Sequence, residues 1–225
     1  MPSAVDLLTA DQLPPNVRDA VDATTLGMLI TAASEALASY VGYPLHLRTG
    51  VVESVASQGG RYLFLRSGAV RQVERVEVCG VEVPPAHYLL EVGTLGVSMG
   101  RILSRGAPWP FTGEYSPGVS PTPLHAHDTG EILVTFTAGW VTPGQADSSP
   151  PLEVNLPAVF VLAARIVVTA YSHRDGQDWD VTSESIGGTS IGYGADSMRG
   201  GRPAIPLAAL ALVERYRKLK RGGVA

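Results

Sequence analysis

Chemistry in this chain would have to come from a few short clusters, and the most specific is Gly96-Val97-Ser98-Met99-Gly100. It fits the Gly-x-Ser-x-Gly nucleophile elbow, where small neighbours let a serine sit on a strained strand-to-helix turn. A hydrolase built on Ser98 needs an acid and a histidine downstream, and Asp147 and His173 stand in that order. The residues that follow, Arg101-Ile102-Leu103-Ser104-Arg105-Gly106, read as a short strand and not as the helix an elbow requires. A glycine-flanked hairpin is the better reading.

His125-Ala126-His127-Asp128 places two imidazoles and a carboxylate within four residues, a set able to hold zinc or another divalent ion. A working site needs a third and usually a fourth ligand, with hydrogen bonds orienting them, and His46, His87 and His173 stand in no ligand spacing. The expectation is a solvated loop without a metal. The segment Gly187 to Gly194 lacks the Lys-Ser/Thr ending of a phosphate-binding loop and leads into no helix, so no nucleotide or other cofactor is expected. An enzyme using Ser98 or the His125, His127 and Asp128 loop stays as the alternative to a structural role.

The charges are unevenly spread. Lys and Arg number 17 against 21 Asp and Glu, a net −4 that argues against a dedicated nucleic-acid binder. Yet Arg215-Tyr216-Arg217-Lys218-Leu219-Lys220-Arg221 carries five basic residues in seven. These either offset the negative pole of a helix or form a docking contact for an acidic partner. Cys79 is the only cysteine, which excludes an intrachain disulfide and a cysteine zinc cluster; a small buried residue on a strand is expected there. Trp109, Trp140 and Trp179 fall at loops or element ends, where a ring with one polar atom suits a partly wet surface. Met-Pro-Ser-Ala-Val-Asp at the N-terminus has no basic region followed by an apolar core, so no signal peptide is expected and an intracellular compartment is the default.

The elements that must position these residues are organised around the apolar run from Leu156 to Tyr171. Pro157 suits the first helical position and Asn155 the cap, which predicts a helix of about four turns. Its 16 residues fall short of the roughly 20 that cross a hydrocarbon core, and Arg165 sits near its middle, so no membrane span is expected. A helix apolar on nearly every face must be covered by its own chain or by neighbouring subunits. Either Arg165 faces water on a narrow stripe or it pairs with a carboxylate.

Residues 1–21 read as an arm or short helix. Asp22 or Thr24 then caps a helix with Leu26, Leu29, Ile30, Ala33, Leu37, Tyr40 and Val41 on one face, stopped by Gly42-Tyr43-Pro44. Strand texture follows in 50–55, 61–65, 70–79, 88–92, 101–103 and 131–136, with a tight turn at Cys79-Gly80-Val81-Glu82. Residues 104–130 form a long loop rich in Pro, Gly, Ser and His. Pro206 opens a last helix with Leu210, Val213 and Arg217 on one stripe. The fold class expected is α+β: a small helical bundle (early helix, central apolar helix, C-terminal helix) with an inserted antiparallel β module. The boundaries are 1–45 for the arm and first helix, 46–151 for the β module, and 152–225 for the rest of the bundle.

Four stretches resemble the head–tail connector, or adaptor, proteins of tailed bacteriophages and gene-transfer particles. They are the helix ending Tyr40-Val41-Gly42-Tyr43-Pro44-Leu45, the strand ending Thr137-Ala138-Gly139-Trp140, Leu156-Pro157-Ala158 leading to Tyr171-Ser172-His173-Arg174, and Ile205-Pro206-Leu207 leading to Arg215-Tyr216-Arg217. The long β module and residues 104–130 depart from the compact members. The resemblance implies a virion structural protein without chemistry, located at the neck and made in the host bacterial cytoplasm. It implies a ring of about twelve copies between the portal and the stopper or tail-completion protein, with genomic DNA passing through unread and no membrane contact. By the same resemblance, Tyr216, Arg217, Lys218, Lys220 and Arg221 would dock the portal. Trp109, Phe111, Tyr115, His125 and His127 would face the lumen or the next ring, and Phe160, Arg165, Ile166 and Tyr171 would pack subunits together.

Overall fold

The computed structural model describes residues 3–93, 97–112, 131–146, 151–172, 183–186, 189–192 and 205–218. The fold is α+β. The chain divides into two compact units, one of Met1–Gly42 with Val141–Ala225 and one of Tyr43–Trp140.

The first unit contains α1 (Pro15–Arg18), α2 (Ala23–Val41), α3 (Pro143–Ala146), α4 (Ala158–Ser172) and α5 (Leu207–Val213). Asp22 caps α2: its Oδ1 accepts from the backbone N–H groups of Thr24 and Thr25 at 3.0 and 3.1 Å, and its Oδ2 from the Thr25 hydroxyl at 2.6 Å. The bond from the Thr25 hydroxyl, with those from the backbone, holds this carboxyl below its ordinary range. At the other end Gly42 takes φ +91°, the left-handed turn that suits glycine, and returns its N–H to the Ala38 carbonyl. Leu26, Ile30, Ala33, Leu37 and Val41 form the buried stripe.

Residues 3–18 are no free arm. Leu7, Leu8, Leu13 and Val17 are buried. Asp6 accepts from the Thr31 hydroxyl at 2.7 Å, and the Leu7 N–H donates to Ser34 Oγ at 3.0 Å, strapping the segment to α2. The strap passes so close to α3 that a Cβ on Gly144 would collide with the Ser3 carbonyl.

α4 begins one residue after Pro157, whose carbonyl accepts from the Phe160 N–H at 2.9 Å. Asn155 does not cap it. Its Oδ1 accepts from the Val141 N–H at 2.9 Å instead, because two backbone groups of Val141 need partners where the chain leaves the β region. α4 packs against α2 and α5. α5 is short and passes into a 3₁₀ turn, Glu214–Tyr216. The buried stripe is therefore Ala209, Val213 and Tyr216, not Leu210, Val213 and Arg217, since the tightened last turn rotates Tyr216 inward and leaves Arg217 on extended backbone. An antiparallel pair, β8 (Ser183–Ile186) with β9 (Thr189–Gly192), lies between α4 and α5 in sequence.

The second unit is built of β1 (Arg48–Val55), β2 (Tyr62–Phe64), β3 (Val70–Val78), β4 (Val81–Glu82), β5 (Tyr88–Leu90), β6 (Arg101–Ser104) and β7 (Ile132–Ala138). One antiparallel sheet runs β1-β7-β3-β4 and a second β2-β6-β5. Every second residue of the central strand, Ile132, Val134, Phe136 and Ala138, is buried, as alternation on a half-covered strand requires. They share a core with Leu63, Val70, Val76, Ile102, Tyr88 and Trp109.

β3 and β4 are joined by Cys79-Gly80 with φ of +53° and +77°, the two positive angles of the hairpin turn whose twist matches its strands. Cys79 is thus exposed in the turn and not a buried strand residue, because a residue in that turn is thrown outward. At the end of β7, Gly139 has φ +92°, donates to the Ala69 carbonyl at 3.0 Å, and lies where any Cβ would strike the His46 carbonyl. Trp140 then donates its N–H to the Leu45 carbonyl at 2.9 Å. That contact explains the Gly-aromatic pair.

Burial first, and then the neighbouring Arg48 cation, hold the His46 imidazole below its ordinary range. The unfolded chain therefore takes up a proton near pH 6.5 that the folded chain refuses. This contribution to stability is whole above that pH and shrinks as the pH falls through the folded value. The urea midpoint is expected to drop between pH 7.5 and 5.5, and His46→Gln is expected to flatten part of that slope.

Candidate functional site

α4 carries two apolar stripes. Phe160, Ala163, Ala164, Val167, Val168 and Tyr171, at i, i+3, i+4, i+7, i+8 and i+11, are buried in the unit's own core. Leu162, Arg165, Ile166, Thr169 and Ala170, offset by two residues, line an open groove with Pro206. Leu162 is 47% exposed there, and Leu207 beyond Pro206 is 83% exposed. Arg165 makes no ion pair among the described residues. Such a face suits a protein partner that brings apolar surface and a carboxylate.

Of the four residues expected to pack subunits, only Arg165 and Ile166 lie on this face. Phe160 is fully buried against Tyr216, with ring centroids 4.7 Å apart, and Tyr171 is buried too. Leu162 was missed, although its i+3, i+4, i+7 and i+8 relation to Arg165, Ile166, Thr169 and Ala170 is visible in the sequence.

The residues expected at the tip separate in the same way. Tyr216 is 4% exposed and belongs to the core of the first unit. Arg217 is exposed, with Nη1 3.3 Å from the Glu214 carboxylate and its guanidinium 5.1 Å from the centre of the Tyr40 ring. The Lys218 N–H donates to the Val41 carbonyl. Lys220 and Arg221 lie outside the described residues.

Trp109 belongs to the core of the β unit and not to a loop tip; its Nε1 is buried without a hydrogen-bond partner among the described residues. The burial of its large ring outweighs the cost of one indole N–H. Phe111 is 44% exposed and bridges to Gln58. Tyr115, His125, His127 and Asp128 lie outside the described residues, as do Asp147 and His173. No group of three metal-ligating side chains occurs among the described residues. No described helix is long and apolar enough to cross a membrane.

Ser98 sits in no elbow. It is fully buried and pairs with Val70 through both backbone groups, at 2.9 and 2.8 Å. Its Oγ accepts from the N–H groups of Gly100 and Arg101 at 3.1 and 3.3 Å, closing a turn into β6. The motif's serine and second glycine are there for that turn, in which Gly100 has φ +83°.

The chain superposes along nearly its whole length on solved chains. A chain in the neck of a native gene transfer agent (GTA) particle, computed with C12 symmetry, matches at a TM-score of 0.50 and 21% identity, over 95% of this chain and 93% of that one. A chain of the virion of a native GTA particle matches at 0.53 and 20%, over 99% and 95%. The fold is one found in gene transfer agent particles. No family model matches the sequence, and no curated protein matches it. The likeness therefore resides in the arrangement of elements.

Proposed function

We propose that this protein is a structural head–tail connector (adaptor) of a tailed phage or gene-transfer particle, a virion component of the neck. It assembles with itself into a ring between the portal and the stopper or tail, and DNA passes through the ring without being read. The observation that carries this reading is the likeness over nearly the full chain to components of GTA particles, one of them in a neck computed with C12 symmetry. The apolar groove on α4 supports the ring: a second copy supplies its cover and a carboxylate for Arg165. The net charge of −4 suits a conduit that must let DNA slide. The basic segment from Arg217 to Arg221 is the contact to the portal, and the loop holding His125 and His127 faces the lumen or the adjoining ring.

Light scattering at several concentrations, with and without the cognate portal, tests this. A ring-sized species, or a shift that requires the portal, is the expected result. Because Tyr216 is core, the truncation that probes docking removes residues 219–225 only, and it is expected to abolish the portal-dependent shift. A concentration-independent monomer indifferent to the portal would overturn the reading.

A further inference from the structure

The last described residues are tied back to the C-terminal end of α2 by contacts that no helix or sheet requires. Tyr40 donates its phenolic hydrogen to the Glu214 carboxylate. Arg217 reaches that carboxylate through Nη1 and also lies over the Tyr40 ring. The Lys218 N–H donates at 2.9 Å to the carbonyl of Val41, one of those a helix end leaves without a partner of its own. The peptide bond between Arg217 and Lys218 is held on both sides, where the run ending Leu219-Lys220-Arg221 begins. The hydrogen bond from Tyr40, followed by the Arg217 contacts, lowers the Glu214 pKa, and the same bond raises that of Tyr40, so near neutrality both are in the states the contact needs.

Glu214 and Arg217 are each about half exposed, at 50% and 46%, and an exposed ion pair adds little to stability. What three side chains converging on one point do achieve is a fixed position for the Arg217–Lys218 peptide. A tail that leaves from a fixed anchor surrenders less freedom when it binds.

We propose that Tyr40, Glu214 and Arg217 form a latch that holds Arg217 and Lys218, the start of the last basic run in the sequence, at the C-terminal end of α2, where that run meets an acidic protein surface. This rests on the reading of the tail as the docking element. Tyr40 and Glu214 act through the tail and are positioning residues.

Trypsin reads the latch without any partner, because cleavage after Arg217 requires that side chain to leave Glu214 and Tyr40, and the Lys218 N–H to leave Val41. With full-length protein, Tyr40→Phe and Glu214→Gln are each expected to speed that cleavage about tenfold with an unchanged Tm, since local opening and not global unfolding governs it. Unchanged cleavage in both overturns the latch. In the unaltered protein the Lys218 amide is expected to exchange at least about tenfold more slowly than an open peptide, and an unprotected amide overturns the latch independently of any variant. With the purified portal as probe, Tyr40→Phe is expected to weaken binding about tenfold. Faster cleavage with full portal affinity overturns the aiming role. Failure of the unaltered chain to bind the portal overturns the docking reading instead.

Discussion

Leu162→Asp is expected to leave a folded chain that no longer assembles. Leu162 is 47% exposed at the lip of the α4 groove, so the substitution removes little from the chain's own core. In the proposed ring the same side chain would be covered by the neighbouring copy, and covering a leucine contributes about 1.5–3 kcal/mol. Burying a carboxylate there adds a desolvation cost on top. Together these correspond to a fall in the self-association constant of roughly a hundredfold or more. Arg165→Glu probes the polar half of the same contact. It places a like charge against the carboxylate expected on the neighbouring copy, and is expected to weaken assembly while leaving Tm within a few degrees. Sedimentation velocity reads the assembly and calorimetry the fold. Wild-type assembly by both variants would remove α4 from the interface.

The second large effect is on stability. Phe136 is fully buried on β7, the strand flanked by both β1 and β3, and it is among the largest fully buried side chains described. Phe136→Ala is expected to cost about 3–5 kcal/mol, because the sheets on either side of the core cannot close completely over the space it leaves. Against a total stability of about 5–15 kcal/mol, that is a large fraction. A unit of this size loses about 4–8 °C per kcal/mol, so its melting transition is expected to fall by roughly 12 °C or more. Val52→Ala, on a neighbouring strand but 61% exposed, is the control and is expected to change little. Equal effects of the two would mean that the alternation of β7 does not define the core.

Most of the secondary structure could be read because its signals are local. The Asp22 cap and the Gly42 stop bound α2 to within a residue, since both act on backbone groups a few positions away. Strands were expected where six of the seven in the β unit lie, and the Cys79-Gly80 turn announces its hairpin through the glycine. The elbow motif failed as a nucleophile site for a reason also visible in the sequence, the strand-like residues after Gly100.

Errors arose where a residue had two acceptable partners and only distant chain could choose between them. Asn155 has the chemistry of a cap and is used as a clip on Val141. Trp109 has the look of a wet loop residue and fills the β core. Tyr216 reads as part of a basic tip and is the ring that packs, tilted, against Phe160. The latch was not legible at all: Tyr40 and Glu214 are 174 positions apart, and no local pattern links them.

The sequence by itself determined the order of the three longest helices and of six strands, the α+β class, the breadth of apolar surface on α4 and the concentration of cations at the C-terminus, because each depends on residue type and spacing along a few turns or pleats. Tertiary structure alone decided which of the two α4 stripes is consumed by the chain's own core and which stays open, because both have the same helical period. That choice depends on where α2 and α5 come to lie, and on Tyr216 filling the space over Phe160.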